Sequence, residues 1–164
     1  MTEAAASVTG LSAPTLALKW PNDLLISGAK TSGLLLEGEN RAGRFNVVIG
    51  FGVNIASSPE GTPYPATHLS AHAAEANVER LLAALSDAWH KRFSAWSLPG
   101  GFGPIRAAWL ERAAYLGETI TMRLPEGPVS GRFLGLDASG RLELEAAGGR
   151  RLVDAGDLYF GDRT

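Results

Sequence analysis

The chain has 164 residues, of which 45% are hydrophobic and 20% charged, with a net charge of −2. That is the composition of a soluble globular protein with room for one medium domain, or a reduced domain and a small one. The near-neutral balance gives no bulk attraction to nucleic acid, and the absence of cysteine excludes disulfides, thiolate chemistry and a cysteine-based zinc site.

The lack of cysteine suits a reducing, cytoplasmic setting. No apolar run approaches the ~20 residues of a membrane helix. The opening residues, MTEAAASVTG, lack the basic start and apolar core of a signal peptide. They read instead as an Ala-rich helix stopped by Gly10. TLALKW, Thr15 to Trp20, is a short strand, Pro21 and Asn22 make a turn, and DLLIS, Asp23 to Ser27, is a second strand turned by Gly28. KTSGLLLEGE, Lys30 to Glu39, is a third strand, with a hairpin loop over Asn40 to Arg44 and a returning strand from Phe45 to Ile55. The apolar content of GLLLEG and NVVIGFGVNI is nearly continuous, which predicts strands covered on both faces.

Ser57 to Pro65 is rich in proline and reads as a loop. Asn77 suits the N-cap of a helix in which Val78, Leu81, Leu82, Leu85, Trp89, Phe93 and Trp96 recur at helical spacing, predicting a core-facing stripe. LPGGFGP breaks that helix, and Pro104 suits the first turn of another, running to about Tyr115 with Ile105, Ala108 and Trp109 on its apolar face. From Glu118 the period becomes two. Four or five short strands separated by Pro-Glu-Gly-Pro, Ala-Ser-Gly and Ala-Gly-Gly turns predict a small barrel. The boundary is placed near Leu116, dividing residues 1–116 from 117–164.

Several residues invite a chemical reading beside a bland one. Lys30 opens an apolar strand after a turn; it is either a solvated turn lysine or a point charge for a carboxylate or phosphate oxygen. In Trp20-Pro21-Asn22-Asp23 the proline keeps Trp20 out of the helical region. Asn22 offers an amide and Asp23 a carboxylate, either for a ligand or for their own backbone. GFGVN, Gly50 to Asn54, fails as a dinucleotide fingerprint because Ile55 stands where a third glycine belongs and no helix follows. Glycines within a strand mark a bulge or the close approach of a ligand or another backbone. His68 and His72 are four apart, but their proline-flanked context favours a solvated face over a metal site.

Taken in order, KWPND, then AKTSGLLLE, then VVIGFGVN resemble the signature of biotin protein ligases, and the following helices and small C-terminal barrel are similar to that family as well. The resemblance implies an α+β fold: a partial mixed sheet with packed helices, part of a class II synthetase-like domain, followed by an SH3-like barrel. It implies activation of biotin with ATP to biotinoyl-5′-AMP, then transfer to a lysine of a biotin carboxyl carrier domain. Lys30 matches the catalytic lysine, and Asp23 an acidic residue that positions it or the acceptor lysine. Lys30, Gly33, Leu35, Gly50 and Gly52 match positions around biotin; Trp20, Asn22 and Asn54 match the nucleotide side. Mg²⁺ accompanies ATP, no protein metal ligand is implied, and homodimer formation through the central sheet is allowed. The family also carries a Gly- and Arg-rich loop upstream of the Trp-Pro-Asn-Asp turn, and nothing before Trp20 resembles it. The sequence therefore predicts the C-terminal part of a ligase, with weak activity alone and exposed apolar strand faces. The alternatives are a non-catalytic biotin- or nucleotide-binding paralogue and a lipoate or octanoate transferase relative.

Overall fold

The computed structural model describes residues 1–154 and 157–159. The elements, in chain order, are α1 (Thr2–Thr9), β1 (Leu16–Lys19), β2 (Asp23–Ile26), β3 (Ala29–Arg41), β4 (Arg44–Val53), α2 (Val78–Trp96), α3 (Phe102–Leu110), β5 (Thr119–Leu124), β6 (Gly127–Leu136), β7 (Leu142–Ala146), β8 (Gly149–Val153) and β9 (Asp157–Tyr159). The chain forms two compact units. One comprises residues 1–17 and 22–88, the other residues 18–21 and 89–164.

The first unit is built on a sheet in the order β1-β2-β3-β4. Gly10 ends α1 in the left-handed conformation, with φ 73°, as its position after an Ala-rich segment predicts. Ser27 and Gly28 both have positive φ, 50° and 81°, so β2 and β3 join through a tight two-residue turn of the kind that matches strand twist. The β3–β4 connection is tighter than its sequence suggests. Pairing continues to Arg41↔Arg44, so the turn is only Ala42-Gly43, again with positive φ at both residues.

The β2–β3 and β3–β4 pairings are antiparallel, and an isolated parallel bridge joins Lys30 to Ala66. The expected α+β class holds, with these strands antiparallel where a mixed sheet was expected. Double-sided burial of β3 and β4 is corrected too. β2 pairs with β3 only over Ala29–Gly33, so from Leu34 onward β3 and β4 form a two-stranded ribbon. Without a further strand or a covering layer, Leu35, Leu36, Phe45, Val47 and Val48 are exposed.

Asn77 caps α2: its Oδ1 accepts the Arg80 backbone N–H at 2.9 Å. The apolar stripe of that helix does not face a core. Leu81 is buried, whereas Val78, Leu82, Trp89, Phe93 and Trp96 are exposed, with the Trp89 and Phe93 rings stacked at 5.6 Å.

The second unit carries an antiparallel sheet in the order β8-β7-β6-β5-β9. The predicted period of two is seen in its core. Ile120 and Met122 on β5, Phe133 on β6, and Leu142 and Leu144 on β7 point inward, and Val153 closes the cluster. Each such side chain stabilises the unit by roughly 1.5–3 kcal/mol on burial. Trp109 and Leu110 of α3 pack on the same cluster, and Arg106 Nε donates to the Leu136 carbonyl at 2.8 Å. The helix therefore joins the barrel-like unit, and the compact units divide within α2, upstream of the boundary read at Leu116. The last strand predicted from sequence, RRLVDAGDLYF, is two strands; residues 155–156 and 160 lie outside the described residues.

Candidate functional site

Asp23 opens β2 and Lys30 lies near the start of β3, after the tight turn. Asp23 pairs with Gly33, so their Cα–Cβ directions share a face of the sheet. Lys30 is three residues before Gly33, and strict alternation would put it on the opposite face. A β-bulge resolves this. Leu24 pairs with Ser32 and Leu25 with Lys30, leaving Thr31 as the extra residue. The bulge re-aims Lys30 onto the Asp23 face, where Lys30 Nζ meets Asp23 Oδ1 at 2.7 Å.

The same face continues along the ribbon. Gly33 pairs with Gly52 and Leu35 with Gly50, so three glycines and one leucine form a patch that is largely bare backbone. Lys30 overhangs one end of it: a Cβ at Gly33 would lie 3.2 Å from Asp23 Oδ1 and 3.3 Å from Lys30 Nζ. A side chain at 33 would therefore crowd the ion pair, whose flexible ends would have to shift by a few tenths of an ångström. At Gly50 and Gly52 the nearest atoms to such a Cβ would be at 3.7 Å, an ordinary contact. Packing within the described residues does not demand glycine there, so both positions are open to the close approach of a ligand or of another backbone.

Both asparagines serve the backbone of this site. Asn22 Nδ2 donates to the Leu34 carbonyl, and the Leu34 N–H returns a bond to the Asn22 carbonyl at 3.0 Å. Asn54 Nδ2 donates to the Thr67 carbonyl at 3.0 Å and to that of Lys30 at 3.4 Å, leaving its Oδ1 as an acceptor. Lys30 is held from the other side as well: its N–H donates to Pro65 O at 2.8 Å and its carbonyl accepts from Thr67 N at 2.9 Å. Trp20 belongs to the second unit, is only 5% exposed within that unit's core, and donates its indole N–H to the Gly140 carbonyl at 3.4 Å. Burial of that kind gives the ring a packing role.

His72 Nε2 lies 3.0 Å from Thr67 Oγ1 and His68 Nδ1 lies 3.5 Å from Ser58 Oγ. Among the described residues no cluster of three His, Asp or Glu side chains could hold a metal. Two contributors were missed in the sequence. The Thr31 bulge left only an indirect sign, the odd spacing of Lys30 and Gly33. Tyr64, whose ring centroid is 5.4 Å from Lys30 Nζ, stood in a proline-rich loop with no periodicity to reveal its direction.

The chain is similar to known proteins along most of its length. The family model described as "Biotin protein ligase C terminal domain" matches residues 115–161. A biotin–[acetyl-CoA-carboxylase] ligase of Paracoccus denitrificans is 38% identical over 156 residues, covering 91% of this chain and 65% of the relative. The bifunctional ligase/repressor BirA of Bacillus subtilis is 33% identical over 151 residues, covering 88% of this chain and 46% of its own length. The chain thus spans from under half to just under two thirds of the length of these relatives. An apo biotin protein ligase structure from Aquifex aeolicus matches 98% of this chain and 71% of that one, with a TM-score of 0.82 at 22% identity, a likeness of fold. The structure of the Aquifex protein in complex with biotin and ATP matches 96% of this chain and 66% of that one, with a TM-score of 0.70 at 25% identity.

Proposed function

We propose, from a chain that carries the C-terminal region of a biotin protein ligase, that the protein activates biotin with ATP to biotinoyl-5′-AMP and transfers the biotinoyl group to a lysine of a biotin carboxyl carrier domain. The observation that supports this best is the Lys30–Asp23 pair overhanging the glycine patch, with Lys30 Nζ 2.7 Å from Asp23 Oδ1. Joining a carboxylate to an α-phosphate brings negative charges together, and an oriented ammonium stabilises that charge as it develops. Asp23 holds the ammonium in place and is itself mostly buried, so the pair keeps one geometry. Gly33, Gly50, Gly52 and Leu35 give a flat surface on which a fused ring system can lie. The Asn54 Oδ1 is left to accept from a nucleotide, and Asn22 fixes the strand beneath the same surface. Mg²⁺ would come with ATP, held by its phosphates; the only carboxylate among the placed site residues, Asp23, is engaged by Lys30. No helix among the described residues is long and apolar enough to cross a membrane, and the reading places the protein with its carrier in the cytoplasm. Homodimer formation through the sheet belongs to the same reading.

The experiment is acid-dependent ATP–pyrophosphate exchange, run on this chain and on a form extended upstream in its own reading frame. Exchange that depends on biotin and not on octanoate or lipoate supports the reading. Exchange driven by octanoate or lipoate alone would move the protein to the other acyl transferases.

A further inference from the structure

The mechanism above uses one side of the Lys30 ammonium and leaves its neighbour Tyr64 unused. Tyr64 lies in the loop between β4 and α2, with prolines at positions 63 and 65. Its carbonyl accepts from Thr62 Oγ1 at 2.6 Å, which tightens the turn that carries it. The next residues are bound to the Lys30 backbone: Pro65 O takes the Lys30 N–H at 2.8 Å, and Thr67 N–H reaches the Lys30 carbonyl at 2.9 Å. Lys30 thus positions the loop through its main chain, and the loop returns an aromatic face to the Lys30 side chain, with the ring centroid 5.4 Å from Nζ. That distance lies inside the range in which a ring quadrupole attracts a cation.

We propose that Tyr64 is a positioning residue for Lys30, covering one side of its ammonium so that it stays between Asp23 and the glycine patch. An ammonium has three donor hydrogens. Asp23 accepts one and the ring covers a second direction, so the remaining donor is the one offered to an incoming carboxylate or phosphate oxygen. The part concerning reaction rests on Lys30 being the lysine that meets the substrate anions; the contact of Tyr64 with Lys30 does not.

The test is acetylation of the folded chain by an N-hydroxysuccinimide ester, with the rate at each lysine read by peptide mass spectrometry. The chain has only Lys19, Lys30 and Lys91, so two lysines serve as internal references. Tyr64→Leu, which keeps bulk and removes the ring, is expected to speed Lys30 acetylation about threefold or more, the scale of an exposed cation–π contact. Tyr64→Phe is expected to match the wild type, with Lys19 and Lys91 unchanged in both variants. An unchanged Lys30 rate in Tyr64→Leu, equal effects of Leu and Phe, or an equal rise at all three lysines would overturn the proposal. In biotin transfer, kcat of Tyr64→Leu should fall with little change in KM for biotin, and Phe should restore it. If the upstream-extended wild-type protein transfers no biotin while the acetylation pattern holds, the ligase reading fails and the positioning of Lys30 by Tyr64 stands.

Discussion

The spacing from Asp23 to Gly33 shows how single residues set this site. Lys30 and Gly33 can share a face only because Thr31 is the bulged residue between them. Gly33→Ala would place a methyl group 3.2 Å from Asp23 Oδ1 and 3.3 Å from Lys30 Nζ. Since the lysine is flexible, the fold should survive with a change in melting temperature of only a few degrees. Biotin transfer should drop by about tenfold or more as the ammonium is displaced; a variant of wild-type rate would mean the pair is not held where it is needed. A second residue-scale prediction concerns Asp137 in the β6–β7 turn. Partial desolvation works against its ionisation, but the Arg141 guanidinium and the backbone N–H groups of Arg141 and Ser139 outweigh it and hold the carboxyl below its usual range. A carboxyl depressed in the folded state contributes stability that is present above its unfolded pKa, about 3.9, and is lost as pH falls through the lower folded value. The gap in melting temperature between wild type and Asp137→Asn should therefore be constant near neutrality and shrink below about pH 4. A gap that widens on acidification would contradict this. The identities of Lys30 and Asp23 as a pair were legible in the sequence through their motif. Their shared face was not, because a bulge leaves no periodic trace, and neither was the burial of Trp20, whose partners lie about a hundred residues away on β5 to β8.

At the scale of elements, local chemistry was the most readable. Gly10, Gly28 and Asn77 each end or begin an element for the reason their residue type gives, and the period of two after Glu118 returned as the inward residues of β5 and β7. The environment of apolar faces was legible only in part: exposed strand faces were expected from the unmatched upstream loop and are found on β3 and β4, whereas double-sided burial of those strands and a core-facing stripe on α2 were expected and are not. A near-continuous run such as GLLLEG says that a strand is suited to burial, and a stripe such as Leu82, Trp89, Phe93 and Trp96 says the same of a helix. Neither says whether the covering layer belongs to the same stretch of chain. Close strand approach is another constraint hidden from pattern. A Cβ at Gly131 on β6 would lie 2.5 Å from the Glu145 carbonyl oxygen and 2.8 Å from Leu144 Cγ on β7, and the main-chain contact cannot be relieved by a rotamer change. Gly131→Ala should destabilise the second unit by roughly 1–3 kcal/mol, seen as a lower melting temperature; a neutral result would mean that β6 and β7 are less tightly apposed.

For the whole molecule, the exposed faces become a property of behaviour. Leu36, Phe45 and Val47 share the face of the β3–β4 ribbon opposite Lys30, by the pairings Leu36↔Ile49, Gly38↔Val47 and Asn40↔Phe45, and all three are exposed. An apolar surface next to an unpaired strand edge promotes association. Sedimentation of this chain should show concentration-dependent self-association, reduced by Leu36→Lys with Phe45→Lys; a wild type that stays monomeric at all concentrations would refute that. The relatives are longer than this chain, which spans 65% of the Paracoccus protein and 46% of BirA from Bacillus subtilis. The proposed activation of biotin nevertheless rests on residues within this chain, Lys30 held by Asp23 over the glycine patch. The most direct measurement is ATP-dependent transfer of biotin to a purified carrier domain by the upstream-extended protein, wild type against Lys30→Ala. We expect the variant to lose about 10²-fold or more in rate while its melting temperature stays near that of the wild type. Equal rates in the two proteins would contradict the assignment of Lys30 and with it the account of the site.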